Sequence, residues 1–339
     1  MPVREEAQVF GPEGSHVGIL TQREGDGAAP QVACLIPNAG LIYRIGPHRF
    51  SVKLARALAE DGIPTLRFDL AGVGDSKYVG ESSSARERIL ASMRCAFDEL
   101  ERTTGARRFI VMGICSGAVN AYRIACVDER VVGAFMYDKF YYRSRWTTPV
   151  YLAKRARVVG PARAVVAALR ALGRRLRPKA QGEEASTAAF ANLDAENPPK
   201  DEFVADVNKL VGRGVRLEFV YGGSFPAYYS YAEQFRDAFA GEPFVAKVEY
   251  RHLPMLDYML SSLAAQHRLA VRLAISEFLS RGAEPLARGT WRPHDRQDLD
   301  RFAAPPRRRA GGCPRHPRPR AAAGARGLHR QPQRESLLR

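Results

Sequence analysis

The sequence predicts an α/β fold built on a mostly parallel sheet, and three observations carry that prediction. Strand-like apolar runs alternate with segments of helical period through the first 280 residues. The 339-residue chain is 45% hydrophobic and 26% charged, a balance that provides for a large core and excludes collagen-like, wholly disordered and disulfide-scaffold classes. The cysteines at 34, 95, 115, 126 and 313 form no C-x-x-C pair, so neither a disulfide framework nor a zinc site is expected. No apolar stretch approaches the eighteen or so residues that cross a bilayer, and Met1 to Glu6 lacks the apolar segment of a signal peptide. A reducing cytoplasm is the expected compartment, with no membrane span, metal or cofactor.

Ser15 to Gln22 reads as part of an N-terminal hairpin, and Gln31 to Ala39 as a short buried strand. Phe50 to Glu60 has helical spacing and closes at Asp61-Gly62. Pro64 to Leu70 is the next strand. Ser84 to Thr103 is a long helix with Ile89, Met93, Phe97 and Leu100 on one face, ended by Gly105. Arg108 to Ile114 and Val131 to Tyr137 are buried strands on either side of a helix that starts near Ser116. Arg216 to Tyr221 and Phe244 to Tyr250 read as further strands, with helices near 228–240 and 261–280.

The interval from Lys139 to Lys200 is too long for a structureless connection, so a helical cap is expected there. Within it, Tyr151 to Leu176 threads apolar residues between Lys154, Arg155, Arg157, Arg163, Arg170, Arg174 and Arg175. That pattern fits a helix laying its apolar side over a pocket; docking of an acidic carrier protein and a membrane surface are the alternatives. The formal net charge is +16, yet residues 301–339 hold eleven arginines against the single acid Glu335. This tail is too rich in Pro, Gly, Ala and Arg to hold a period and is expected to be disordered. It lacks interleaved aromatics to stack on bases, so nucleic acid is not an expected partner. The domain reading is a core of 1–138 and 200–281, a basic helical cap at 139–199 and an Arg/Pro-rich tail at 282–339.

The informative motif is Gly113-Ile114-Cys115-Ser116-Gly117, set between an apolar strand and a helix. A strand turning sharply into a helix needs residues without a Cβ around a strained central position. Such a turn presents Cys115 at the top of the sheet, places its thiol at a helix N-terminus and aims the Ser116 N–H at a substrate oxygen. Leu35-Ile36-Pro37-Asn38-Ala39-Gly40 and Arg67-Phe68-Asp69-Leu70-Ala71-Gly72-Val73-Gly74-Asp75-Ser76 lie at two earlier strand ends. With these motifs, residues 15 to 280 resemble the α/β-hydrolase superfamily, in particular its cysteine-elbow members: the dienelactone hydrolases and the exosortase-associated and serine-aminopeptidase-like hydrolases.

The resemblance implies an eight-stranded, mostly parallel sheet with helices on both faces and an inserted helical cap. It also implies an oxyanion hole from the N–H of Ala39 or Gly40 together with that of Ser116. Asp69 and Asp75 are expected to tie down the loop after their strand. Two departures stand out: Ser224 occupies the place of the family's acid, and Tyr258 that of its histidine, in Pro254-Met255-Leu256-Asp257-Tyr258. A serine nucleophile without imidazole is hardly deprotonated, whereas free cysteine is already a few per cent thiolate at pH 7. His252, at the last strand's end, is a candidate displaced base or a structural residue. Asp138, after the strand that follows the elbow helix, and Asp257 are candidate acids. Tyr43, Tyr142 and Tyr228 are candidate substrate contacts, or supply only apolar area.

The expected function is acyl transfer (hydrolase, thioesterase or acyltransferase), with Cys115 attacking an ester, thioester or lactone of a small-molecule acyl substrate. The alternative is a degenerate hydrolase that binds a ligand or promotes a non-hydrolytic reaction such as cyclisation. Removing residues 301–339 is expected to leave melting temperature and activity unchanged, because that segment offers no periodic apolar face to a core. Differential scanning calorimetry of the truncated chain checks this, and a loss of several degrees contradicts it.

Overall fold

Eight strands form one sheet in the order β1-β2-β4-β3-β5-β6-β7-β8 in a computed structural model that describes residues 2–25, 30–79, 84–160 and 197–261. The strands are β1 (Val3–Phe10), β2 (His16–Arg23), β3 (Ala33–Pro37), β4 (Thr65–Phe68), β5 (Phe109–Ile114), β6 (Val131–Tyr137), β7 (Arg216–Tyr221) and β8 (Glu249–His252). The hairpin β1-β2 and the β2-β4 pair are antiparallel, and every pairing from β4 through β8 is parallel. All described residues belong to one unit, Met1–Gly289. The helix expected over 261–280, the tail at 282–339 and the cap between 161 and 196 lie outside the described residues.

The period of two along each parallel strand divides the core between the two faces of the sheet. Ala33, Leu35, Val111, Ala134, Met136, Leu217 and Phe219 point to one face and join Met93, Phe97, Leu100, Ala121 and Ile124. Cys34, Ile36, Met112, Ile114, Phe135, Tyr137 and Val220 point to the other and join Phe50, Leu54, Leu58, Leu256 and Leu260. These partners come from α1 (Phe50–Glu60), α2 (Ala85–Thr104) and α3 (Ser116–Val127), except Leu256 and Leu260, which lie in the segment after β8. Both strand faces are buried, which is why these strands read as continuous apolar runs.

Local chemistry sets the helix ends. Ser84 caps α2 in a reciprocal box: its Oγ accepts from the Glu87 N–H at 3.2 Å, and its own N–H donates to Glu87 Oε2 at 2.8 Å. Gly105 ends the helix at φ 76°, a left-handed conformation that a Cβ disfavours. On its buried face Phe97 stacks on Phe109 of β5 with ring centroids 4.6 Å apart.

Two sequence expectations need correction. Phe244 to Tyr250 is not a continuous strand: a 3-10 turn occupies Pro243–Ala246, and β8 begins only at Glu249. Pro243, with fixed φ and no N–H to give a ladder, starts that turn rather than a strand. The helix expected near 228–240 contracts to α6 (Gln234–Ala238). Upstream of it, the Ser230 N–H donates to Gln234 Oε1 at 2.8 Å and the Ser230 hydroxyl donates to the Thr147 carbonyl at 2.9 Å, local bonds that compete with helical ones. Just after β6, Phe140 and Tyr141 are 0% and 3% exposed. Phe140 packs its ring on Tyr122, Phe203 and Phe219.

Of the expected cap, α4 (Thr147–Val159) is described. Its Lys154 donates to the Ser230 carbonyl at 2.6 Å, so part of the basic stripe holds the helix to the loop after β7. Unanticipated is α5 (Lys200–Gly212), although its buried Phe203, Val207 and Leu210 follow helical spacing. Among the described residues no helix is long and apolar enough to cross a membrane.

Replacing Ser84 by alanine removes the acceptor for the Glu87 N–H and one arm of the capping box. The expected loss is about 1 kcal/mol of unfolding free energy, read from urea midpoints at unchanged m-value.

Candidate functional site

Cys115 lies between the end of β5 and the first residue of α3, with φ 54° and ψ −118°. Left-handed φ in a residue with a side chain is costly and persists only where the surroundings enforce it. Here two parallel features do so. The Cys115 N–H donates to the Tyr137 carbonyl of β6 at 3.0 Å, while its own carbonyl accepts from the Ala118 N–H at 3.0 Å. A Cβ at Gly113 would lie 2.1 Å from the Gly117 carbonyl oxygen, so the turn closes only because position 113 is glycine. As the first residue of α3, Ser116 presents an N–H without an intrahelical partner.

The turn after β3 packs on this elbow. A Cβ at Gly117 would sit 3.4 Å from the Asn38 carbonyl, and Gly40, at φ 53°, donates its N–H to Ser116 Oγ at 2.7 Å. Asn38 is 3% exposed and fixes the turn from both ends of its amide. Its Nδ2 donates to the Gly40 carbonyl at 2.6 Å, and its Oδ1 accepts from the Leu70 N–H at 2.9 Å. Asp69 and Asp75 fasten Arg44, downstream of the same turn: Asp69 Oδ1 accepts from the Arg44 N–H at 2.6 Å, and Asp75 accepts from the guanidinium at 2.6 Å. The Asp69 carboxylate also pairs with the Arg44 guanidinium.

Ser224 and Tyr258 meet each other, and Tyr258 meets the thiol. The Tyr258 hydroxyl donates to Cys115 Sγ, and the Tyr258 N–H donates to Ser224 Oγ at 2.6 Å. The Tyr258 ring stands edge-on to Phe225 at 5.1 Å, and Phe225 in turn meets Tyr141 and Tyr228. Tyr228 is therefore one ring removed from Tyr258.

Other candidates are placed elsewhere. His252 is turned edge-on to the Tyr229 ring at 5.1 Å, and no hydrogen bond joins it to Cys115 among the described residues. Burial, with Lys154 nearby, pushes its pKa down to about 4, so the ring is neutral at pH 7. Asp138 follows β6 at φ 52°, fully buried, with Oδ1 accepting from the Gly222 N–H at 2.5 Å. Burial pushes its carboxyl up to about 6, against the Gly222 hydrogen bond and the Tyr141 hydroxyl beside it. Asp257 is occupied with Ser261, whose N–H it accepts at 2.8 Å. Tyr142 packs its ring on Phe203 and Phe239 at 4.8 and 5.0 Å and donates its hydroxyl to the Pro198 carbonyl. It serves the aromatic core on that side. Tyr43 is 55% exposed on the loop after Gly40. Among the described residues no group of His, Cys, Asp and Glu is arranged to hold a metal.

Comparison with solved structures follows the same outline. An esterase from Pyrococcus furiosus superposes with a TM-score of 0.51 at 13% identity, over 83% of this chain and 92% of that one. The chain has the α/β-hydrolase fold. A hypothetical protein from Pseudomonas aeruginosa superposes on this α/β-hydrolase fold with a TM-score of 0.50 at 16% identity, over 82% of this chain and 94% of that one. No family model and no curated protein matches the sequence.

The other described cysteines have environments that suppress the thiolate. Burial pushes Cys34 and Cys126 up to about 12, and burial with Asp98 nearby raises Cys95. Limited iodoacetamide labelling at pH 7, followed by peptide mapping, is expected to modify Cys115 ahead of Cys34, Cys95 and Cys126. Tyr258→Phe, which removes the hydroxyl donor to sulfur, should slow Cys115 labelling by about threefold to tenfold, whereas His252→Phe should leave it unchanged.

Proposed function

We propose that this chain is an acyl-transfer enzyme with Cys115 as nucleophile. The observation carrying this reading is the left-handed Cys115 at the β5-α3 turn, with the Tyr258 hydroxyl on its sulfur and Gly40 beside Ser116. In the proposed first step the sulfur bonds to the carbonyl carbon of an ester, thioester or lactone. The carbonyl oxygen becomes an oxyanion facing the N–H of Ser116 and that of Ala39 or Gly40, and the Gly40 N–H, where it serves, lets go of Ser116 Oγ. As the oxyanion collapses, the bond to the leaving oxygen or sulfur breaks. The proton given up by the thiol is the one the leaving group gains. The Tyr258 phenol, hydrogen-bonded to the thiol, stands on that path.

The second step distinguishes this site from a complete triad. Water attacks a thioester efficiently only with a base to take its proton, and a phenol, which ordinarily titrates near 10, donates at pH 7. His252 faces Tyr229, and Ser224 gives its oxygen to a backbone N–H. The acyl group therefore stays on sulfur or passes to an amine or thiol acceptor in preference to water. The stretch of α4 that carries Lys154, Arg155 and Arg157 supports an acidic carrier protein as one source of such an acyl group. The replacement of the imidazole also favours a second reading, a ligand-binding or cyclising site on the same scaffold.

A burst experiment separates the two. With 4-nitrophenyl hexanoate, one equivalent of nitrophenolate per Cys115 is expected, followed by turnover about 10² to 10⁴ below that of a complete triad. Intact mass should show the thioester, absent in Cys115→Ala. Tyr258→His combined with Ser224→Asp should raise steady-state turnover well above wild type. Wild-type protein that gains no adduct mass from any ester sinks the acyl-transfer reading and leaves the ligand-binding one.

A further inference from the structure

The end of β6 holds a buried acid that the proposed chemistry leaves unused. Asp138 is fully buried, its φ is 52°, and it grips the end of β7 twice. Its N–H donates to the Val220 carbonyl at 2.8 Å, and its Oδ1 accepts from the Gly222 N–H at 2.5 Å. Its Oδ2 and the Tyr141 hydroxyl lie side by side outside hydrogen-bond geometry, and neither has another partner among the described residues.

The chain held in this way carries Tyr258. Gly222 and Gly223 lead from β7 to Ser224, and the segment after β8 lies against them. The Gly223 N–H donates to the Leu256 carbonyl at 2.7 Å. A Cβ at Gly222 would sit 2.8 Å from the Leu256 carbonyl oxygen and 2.9 Å from Asp138 Oδ2, so the close approach needs glycine there. The peptide that joins Asp257 to Tyr258 is gripped at both ends: the Tyr137 hydroxyl donates to its carbonyl at 2.9 Å, and its N–H donates to Ser224 Oγ at 2.6 Å. Two consecutive residues at the end of β6 thus set this one peptide, Tyr137 directly and Asp138 through the turn at 222–224. From that peptide the Tyr258 hydroxyl reaches Cys115 Sγ.

We propose that Asp138 is a positioning residue whose negative charge holds the turn at 222–224 and so keeps the Tyr258 hydroxyl on the Cys115 sulfur. A carboxylate binds an N–H about twice as strongly as a neutral acceptor does. Protonation of Asp138 therefore loosens its hold on Gly222, and burial brings that change up to about pH 6. The titratable groups acting on it are Tyr137 beside it, Tyr141 just after β6, Tyr221 of β7 and Asp257 after β8, and buried Lys139 follows it in the chain. Burial raises all three phenols above their ordinary range, so they stay neutral through this interval, and the Asp257 charge pushes Asp138 up further. His252 titrates at about 4, below it. The inference deepens the acyl-transfer reading, on which it rests for the role of the thiol, by adding a pH-dependent hold on the group that meets the sulfur.

Alkylation tests this apart from any ester. In the full-length protein, iodoacetamide labelling of Cys115 is read by peptide mapping from pH 5 to 8 in wild type and in Asp138→Asn, which keeps an acceptor for the Gly222 N–H but no charge. Both proteins share the same thiol, so the ratio of their rates cancels the thiol's ordinary rise with pH. That ratio should be near one at pH 5 and reach at least about threefold at pH 7.5, with its midpoint at about 6. In a Tyr258→Phe background it should stay near one throughout, because the hold has no hydroxyl left to position. A direct field of Asp138 on the thiolate acts in the opposite sense and slows wild type. A ratio that is flat with pH, falls below one or is undiminished by Tyr258→Phe overturns the proposal. If Asp138→Asn does not fold, the ratio of wild type to Tyr258→Phe decides: shrinkage by at least about twofold from pH 7.5 to pH 5 supports the hold, and constancy overturns it. Acylation by 4-nitrophenyl hexanoate is scored separately, so failure of the acyl-transfer reading leaves this outcome legible.

Discussion

The conformation of one residue governs the rest. Cys115 can hold a left-handed backbone only if the strand before it and the helix after it nearly touch, and they can touch only because position 113 leaves out its Cβ. A methyl group at position 113 would overlap the Gly117 carbonyl at 2.1 Å, which no rotamer change relieves because both partners are backbone. The parallel sheet supplies the counterforce: β5 is paired on both sides, by β3 and β6, so the strand cannot recoil from the turn. Local strain is thus held by the most extensively bonded part of the fold.

The same economy organises the neighbouring loops. Asn38 reaches both its own turn and Leu70, and Asp69 with Asp75 holds Arg44, so the segments after β3 and β4 form a single fastened rim beside the elbow. Because parallel strands all end on the same side of the sheet, residues far apart in the chain arrive at one place. Cys115, Ser224 and Tyr258 belong to three different strand-to-loop junctions and form one connected chain of hydrogen bonds.

Much of this was legible in the sequence, for identifiable reasons. The apolar runs of β5 and β6 are read directly because burial on both faces leaves no polar alternation to confuse them, and Phe50–Glu60 declares itself by its spacing. The elbow is legible because its steric demand must be written in glycine. Pro243 obscured the start of β8, since apolar residues beside it imitate a strand while its ring starts a 3-10 turn. Nothing in sequence signalled that Tyr142 turns to the aromatic core or that His252 faces Tyr229, because side-chain direction at strand ends is settled by tertiary packing. Arg44 was equally silent: its partners lie 25 and 31 residues away.

The hydrogen bond from the Gly40 N–H to Ser116 Oγ makes the elbow self-satisfied at rest. An arriving carbonyl oxygen that uses this donor does not fill an empty socket; it trades places with a hydroxyl already there. Entry is an exchange reaction, and its driving force is the difference between two acceptors, small for a neutral carbonyl and large for an oxygen bearing full negative charge. Displacing the hydroxyl costs the same free energy whichever oxygen arrives, so an oxygen bearing full negative charge recovers that cost and a neutral carbonyl recovers little of it.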